Sequence, residues 1–290
     1  MLDPKVITTI KDLPLLAKTI VDGFMNGFNK STIKGPGLEF SQYRSYQPGD
    51  DLRWMDWRMF ARSDRYYIRE SEVETSISVK FIIDASASMN HVDGPLTKID
   101  YARYMVASLA YLANQQGDAT SLYVLQDGEL TSLAARQDAQ HLQRIYYQLE
   151  QIKPSGVFTQ PTHYKELFTG RTQKELLIFI TDMYQSQDEI SKLIDSLSAL
   201  KHEVVVFHLM GQNELDFDFK GYDTLEDMET GETIEINAET RKGYQQKLKN
   251  HIAEIRIQLL AKNIVYKMLS TAKPLDEALR EFLLRRNKGF

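Results

Sequence analysis

From Val73 to Phe81, apolar and polar positions alternate. Val73, Thr75, Ile77, Val79 and Phe81 share one side, with Glu74, Ser76, Ser78 and Lys80 on the other. A period of two predicts a strand with one solvated face. The alternation then gives way to the continuous run Phe81-Ile82-Ile83. This predicts burial on both faces, as where helices cover both sides of a parallel sheet. Asp84 closes the run. Upstream, Leu16, Ile20, Phe24 and Phe28 recur every fourth residue after Asp12, predicting a helix that ends near Asn29 with its stripe turned to a core.

Downstream, amphipathic and apolar segments alternate. The pattern predicts a helix over Ile99 to Gln115 and a strand over Ala119 to Gln126. Asp127-Gly128 then makes a tight turn into a strand over Leu130 to Ala135. A helix over Gln137 to Ile152, a loop beginning at Pro154, a helix near Thr162 to Phe168 and a strand over Leu176 to Ile180 follow. Further helices are expected over Gln187 to Leu200, Arg241 to Ala261 and Pro274 to Arg286, with strands over Val204 to Met210 and Ile264 to Leu269. The acidic stretch from Glu214 to Glu235 contains Thr230-Gly231, read as a hairpin tip. Strand and helix in alternation predict an α/β fold, a doubly wound, mostly parallel sheet with one antiparallel edge strand.

Composition narrows the classes. The 290 residues, 42% hydrophobic and 26% charged, suit two modest domains or one large one. A formal net charge of −5 lacks the basic surplus of most nucleic-acid-binding proteins. The absence of cysteine excludes disulfides and thiolate metal sites. No apolar stretch approaches the roughly 18 residues of a membrane span, and the amino-terminal residues lack the pattern of a secretory signal. A cytoplasmic location is the expectation, with peripheral membrane association left open.

The chemistry concentrates where strands end. In open α/β sheets, ligands bind beyond the carboxyl ends of strands near a topological switch point. Asp84, Ser86, Ser88 and Asp182 all fall at or just past such ends, on strands that can be neighbours. Two carboxylates and two hydroxyls form a hard, all-oxygen set suited to Mg²⁺, Mn²⁺ or Ca²⁺, whereas zinc favours nitrogen or sulfur. Thr159 and Thr162, in the loop before the strand at Leu176, are candidates for a fifth ligand. Taken alone, Asp-x-Ser-x-Ser also matches turns and helix caps.

These residues resemble the von Willebrand factor A domain and its metal-ion-dependent adhesion site. There Asp-x-Ser-x-Ser follows the first strand, a Thr lies in a later loop and an Asp ends the fourth strand. Asp84, Ser86, Ser88 and Asp182 match in place and order, and Thr159 fits the loop position better than Thr162. The resemblance implies that serines and threonine bind the metal directly, that the aspartates often act through water, and that a partner's carboxylate fills the open position.

A second constellation lies upstream: Arg44-Ser-Tyr46-Gln-Pro48-Gly49-Asp50-Asp51-Leu-Arg53, then Asp56-Trp57. Together with the A-type domain it resembles the bacterial family DUF58, from roughly residue 20 to the carboxyl terminus. The chain is accordingly divided into an amino-terminal α+β module, residues 1–71, and a von Willebrand A-like domain, residues 72–290. Arg44, Arg53, Arg58, Arg62, Arg65 and Arg69 alternate with acidic residues and with Trp54 and Trp57. Such a segment suits either an ion-pair lattice or a partner surface, with Arg44, Tyr46, Asp50, Asp51, Arg53, Asp56 and Trp57 as candidate contacts.

Catalytic patterns are weak. There is no phosphate-binding loop, no Gly-x-Ser-x-Gly elbow and no His-Glu-x-x-His. The six histidines are scattered, with His91 nearest the motif, and most tyrosines occupy apolar positions of helices and strands. The expectation is a non-catalytic, Mg²⁺-dependent binding or scaffold protein. By resemblance, its partner is a MoxR-type AAA+ ATPase offering an acidic residue. The rivals are a metal-dependent hydrolase using Asp84 and Asp182, and a nucleic-acid-binding module using the Arg44 to Arg69 face.

Overall fold

A computed structural model describes residues 10, 12–30, 42–48, 50, 51, 55–70, 77–158, 174–184, 188–200, 202–219, 224–226, 231–235 and 238–286. It divides into two compact units, one of Met1–Asn26 with Ser76–Phe290 and one of Gly27–Thr75.

The larger unit is built on β3 (Ser78–Asp84), β6 (Ala119–Gln126), β7 (Glu129–Arg136), β8 (Glu175–Thr181), β9 (Glu203–Met210) and β12 (Val265–Ser270). They form a six-stranded sheet ordered β12-β9-β8-β3-β6-β7. The first five in that order run parallel, and β7 pairs antiparallel with β6 at one edge. Asp127 and Gly128 both take positive φ, 46° and 77°, the two left-handed residues that a two-residue hairpin turn requires. This is the doubly wound, mostly parallel sheet with one antiparallel edge strand that the pattern predicts.

Every residue of β3 and β8 is buried, and the two sheet faces carry separate apolar clusters. One cluster joins Phe81, Ile83 and Ile178 to helix α3 (Lys98–Gln115), α4 (Ala139–Gln151) and α8 (Leu275–Arg286). The other joins Ile82, Leu177 and Phe179 to α5 (Glu189–Ser198) and α7 (Ala238–Ala261). Tyr101 and Tyr123 are buried, as their apolar positions suggested.

Two differences from the sequence reading have physical causes. Ser78 and Lys80 were expected on a solvated face, yet both are buried. The Lys80 ammonium pairs with Glu175 at 2.8 Å, each side chain only 3% exposed, so a charge complement on the neighbouring strand permits the burial. Helix α1 (Leu13–Lys30) was assigned to the small module, but Leu13, Leu16, Ala17 and Ile20 belong to the apolar cluster of the larger unit. Its periodic stripe reports burial without saying against what. The alternating residues 71–76 and the helix expected near Thr162 to Phe168 lie outside the described residues.

The smaller unit holds β1 (Gln42–Ser45), α2 (Trp57–Ser63) and β2 (Tyr67–Glu70), with β1 and β2 antiparallel. The remaining elements, β4 (Val92–Asp93), β5 (Leu96–Thr97), α6 (Gln212–Asp216), β10 (Thr224–Glu226) and β11 (Thr233–Glu235), are short. β10 pairs antiparallel with β11 around the expected tip.

Candidate metal centre

The chain leaves β3 towards β6 on one side and returns to β8 on the other, so the sheet's switch point lies between β3 and β8. Asp84 is the last residue of β3 and Asp182 directly follows β8. Adjacent parallel strands therefore deliver both carboxylates to one edge, as their positions at strand ends predicted.

Asp84 is fully buried. Its Oδ1 accepts the Ser86 backbone N–H at 2.9 Å and its Oδ2 accepts the Thr181 hydroxyl at 2.7 Å. Thr181 in turn accepts the Met183 N–H at 2.9 Å, pinning a residue with φ of 57°. A left-handed methionine is uncommon, and the next residue, Tyr184, donates its N–H to Asp182 Oδ1 at 3.2 Å. The Ser86 and Ser88 hydroxyls lie 3.1 Å apart, and Ser88 also hydrogen-bonds to the Asp182 carboxylate. The motif loop is tied down by its backbone. Ala85 N–H bonds to Leu125 O at 2.8 Å, Ala87 N–H to Gly156 O at 2.8 Å, and Ser155 N–H to Ala85 O at 3.0 Å.

Two residues that the motif search passed over complete the cluster. Lys98 opens α3, and its ammonium lies 2.9 Å from Asp182 Oδ2 and 2.9 Å from Glu214 Oε1. A capping box places it there: Asp100 N–H bonds to the Thr97 hydroxyl at 3.1 Å while the Asp100 carboxylate reaches back to Thr97. Glu214, on α6, is held by the Gly211 N–H at 2.6 Å. The signal for Lys98 was a cation at the first position of a helix, where the dipole disfavours positive charge. Such a placement calls for compensating anions, though spacing alone does not say which.

The two carboxyls are pushed apart electrostatically. Burial, then the negative charge of Asp182, raises Asp84 above the usual carboxylate range, and the bonds from Ser86 and Thr181 only partly offset this. Burial would raise Asp182 too, but the Lys98 ammonium and hydrogen bonds from Lys98, the Tyr184 N–H and Ser88 hold it low. Lys98 is raised, because Asp182 and Glu214 outweigh the desolvation of its ammonium.

His91, the histidine nearest the motif, is engaged by Asn213 Oδ1 at 2.9 Å and stands 3.9 Å from Glu214. Thr159 lies outside the described residues, as does Thr162; the description stops at Phe158, which packs tilted against Phe179 with ring centroids 6.4 Å apart.

The upstream candidates belong to the smaller unit. The Asp50 carboxylate accepts the Gln47 N–H at 2.8 Å, closing a turn, and Asp56 caps α2 by accepting Arg58 N–H at 2.9 Å and Met59 N–H at 3.0 Å. Both aspartates therefore fix local backbone. Tyr46 meets Tyr66 edge-on at 6.3 Å, Tyr66 stacks on Phe60 at 4.4 Å, and Trp57 is 59% exposed. Arg58, Arg62, Arg65 and Asp51 are exposed. Arg44 stands on β1 opposite Ile68, and Arg53 lies outside the described residues.

A family described as "Protein of unknown function DUF58" matches residues 42–254. The chain belongs to the DUF58 family. The match takes in β1, α2 and β2 and continues through β9 into α7, so it covers both the Arg/Asp segment and the Asp84 cluster. The DUF58 chain is 25% identical over 238 residues to the uncharacterized protein Rv1480 of Mycobacterium tuberculosis, covering 81% of this chain and 74% of that protein. The uncharacterized protein Mb1516 of Mycobacterium bovis matches to the same extent, 25% over 238 residues with 81% and 74% covered. Among solved structures, the conserved hypothetical protein BatB from Bacteroides thetaiotaomicron is similar with a TM-score of 0.48 at 16% identity, covering 74% of this chain and 100% of that one. The SpRpn10 VWA domain is similar with a TM-score of 0.41 at 12% identity, covering 71% and 94%.

Proposed function

We propose that this DUF58 protein is a non-catalytic binding module that holds a divalent cation, Mg²⁺ or Mn²⁺ before Ca²⁺, at the Asp84 cluster and uses it to engage a carboxylate of a protein partner. The observation that carries the reading is the convergence of Asp84, Ser86, Ser88 and Asp182 at the switch point, with both aspartates already bonded to protein donors. Ser86 and Ser88 Oγ are then the direct ligands, Asp84 and Asp182 act through water, and Thr159 is the candidate from the loop. The donors fit such an ion. All are hard oxygens, and the two carboxyls lie close enough that burial together with the negative charge of Asp182 drives Asp84 upward. Among the described residues no group of three or more His, Cys, Asp or Glu side chains is placed to hold a metal ion by itself, so the proposed site depends on hydroxyls as well.

When bound, Mg²⁺ supplies a Lewis acid that keeps exchangeable waters, one of which an incoming carboxylate can replace. The serine hydroxyls hydrogen-bond to one another and to the aspartates, and His91 is engaged by Asn213, which favours binding over nucleophilic chemistry. The family resemblance points to a MoxR-type AAA+ ATPase as the partner. No described helix is long and apolar enough to cross a membrane.

The test is a pull-down of the ATPase with and without Mg²⁺. Capture is expected only with the ion and is lost in Asp84→Ala, whose folding is checked by circular dichroism. Capture that ignores both the ion and the substitution rejects the proposal. Phosphoester turnover that follows Mg²⁺ and vanishes in Asp84→Ala would replace it with the hydrolase reading.

A further inference from the structure

We propose that Lys98 is the resident counter-ion of the Asp84 cluster, a tethered cation that weakens the site's hold on a divalent ion until a partner's carboxylate joins it. The inference rests on the metal-binding reading above and adds a residue that no part of the adhesion-site pattern names.

The placement of Lys98 is costly twice over, through burial and through the helix dipole. Its side chain is 3% exposed, so its ammonium must be desolvated, and it stands at the first position of an 18-residue helix where the dipole disfavours a cation. Two carboxylates repay this, Asp182 and Glu214, each at 2.9 Å. Asp182 comes from the end of β8 and Glu214 from α6 after β9, so the ammonium joins the segments following two neighbouring strands. The Thr97–Asp100 capping box fixes the backbone from which Lys98 reaches in, and the Gly211 N–H fixes Glu214.

Counting formal charges, Asp84, Asp182 and Glu214 contribute three negatives and Lys98 one positive. A divalent ion arriving beside Ser86 and Ser88 meets an ammonium already bound to the Asp182 carboxylate, to which Ser88 is also bonded. Like charges sharing the Asp182 carboxylate in a buried site repel strongly, because little water screens them. A carboxylate from a partner adds further negative charge beside the ion and offsets this repulsion. The ion is thus held poorly alone and well in the complex, which makes metal and partner binding mutually dependent.

The experiment titrates Mn²⁺ alone into the full chain and follows it by electron paramagnetic resonance and calorimetry, in wild type, Lys98→Met, Lys98→Arg, Glu214→Gln and Asp84→Ala. Lys98→Met is expected to bind Mn²⁺ about tenfold more tightly or better, since it removes one close like charge. Lys98→Arg keeps the charge and should stay near wild type, while Glu214→Gln should bind more weakly. Glu214→Gln retains the lysine, so it tests the idea even if Lys98→Met does not fold. Binding by Lys98→Met no tighter than wild type, or no weakening in Glu214→Gln, overturns the counter-ion role while leaving the metal site standing. Failure of wild type and all variants to take up Mn²⁺, or uptake undiminished in Asp84→Ala, overturns the metal site and this inference together.

Discussion

Thr181 donates its hydroxyl to Asp84 at 2.7 Å, joining the last residue of β8 to the last residue of β3. Both residues are fully buried, so this bond satisfies a carboxyl oxygen that is shielded from bulk solvent. Thr181→Val keeps the shape and removes the donor. It is expected to lose about 1–3 kcal/mol in urea denaturation, because one oxygen of a buried carboxyl is left without a partner. Thr181→Ser should retain most of the stability, and an unchanged midpoint in the valine variant would show the bond to be dispensable.

The Lys80–Glu175 pair offers a second measurement. It lies 2.8 Å apart between neighbouring strands, with His202 Nε2 3.6 Å from the same carboxylate oxygen. Glu175→Leu alone should cost about 3–5 kcal/mol by removing a carboxylate that neutralises a buried ammonium. The double variant Lys80→Met/Glu175→Leu should recover most of that loss, as a double-mutant cycle would read directly.

His208 predicts a pH effect. Burial, together with Lys98 and His251, pushes the ring down to about 4 against its usual value near 6.5, although Asp182 pulls the other way. The folded state therefore binds fewer protons than the unfolded state between these values. The stability from His208 is complete above about pH 6.5 and is lost as pH falls towards 4. Between pH 7 and pH 5 the wild type should lose about 2 kcal/mol more than His208→Gln does. A divalent ion near Asp182 would lower the ring further, so the sign holds with or without it. Equal losses in the two proteins would count against the buried neutral ring.

Gly211 lies where an added side chain would displace the ends of its neighbours' side chains. A Cβ there would run into Asn213 Oδ1 and sit 3.1 Å from both Glu214 Oε2 and His91 Cδ2. Gly211→Ala is expected to cost about 1–3 kcal/mol by overpacking and to loosen Glu214 from Lys98. Thermal unfolding checks the first effect, and a Mn²⁺ titration checks the second, where weaker binding is expected.

The sheet was legible because its strands are short apolar runs and its helices have clear stripes. The Ala119 to Gln126 strand and the Asp127-Gly128 turn match residue by residue. Asp84, Ser86, Ser88 and Asp182 could be placed together because strand ends in a doubly wound sheet are predictable positions. Lys98 and Glu214 could not, since their partnership spans 116 positions and depends on the path after β9. Lys80 misled for a related reason: alternation records polarity, and a paired charge inside a sheet looks like a solvated one. In the Arg/Asp segment, the Asp50 and Asp56 carboxylates accept nearby backbone N–H groups, a local role that alternating charge does not reveal.

The backbone bonds that hold the Asp84 loop against Leu125 and Gly156 bear on speed as much as on shape. A loop fastened from two neighbouring segments has little ordering left to do when a small ion arrives. Arrival would then be paced by how fast the ion sheds its own water, a step that is slow for Mg²⁺. Departure would be paced by the protein's charges. In the proposed ion-bridged complex, a partner's residence time would then follow the identity of the ion as closely as the fit of the two proteins.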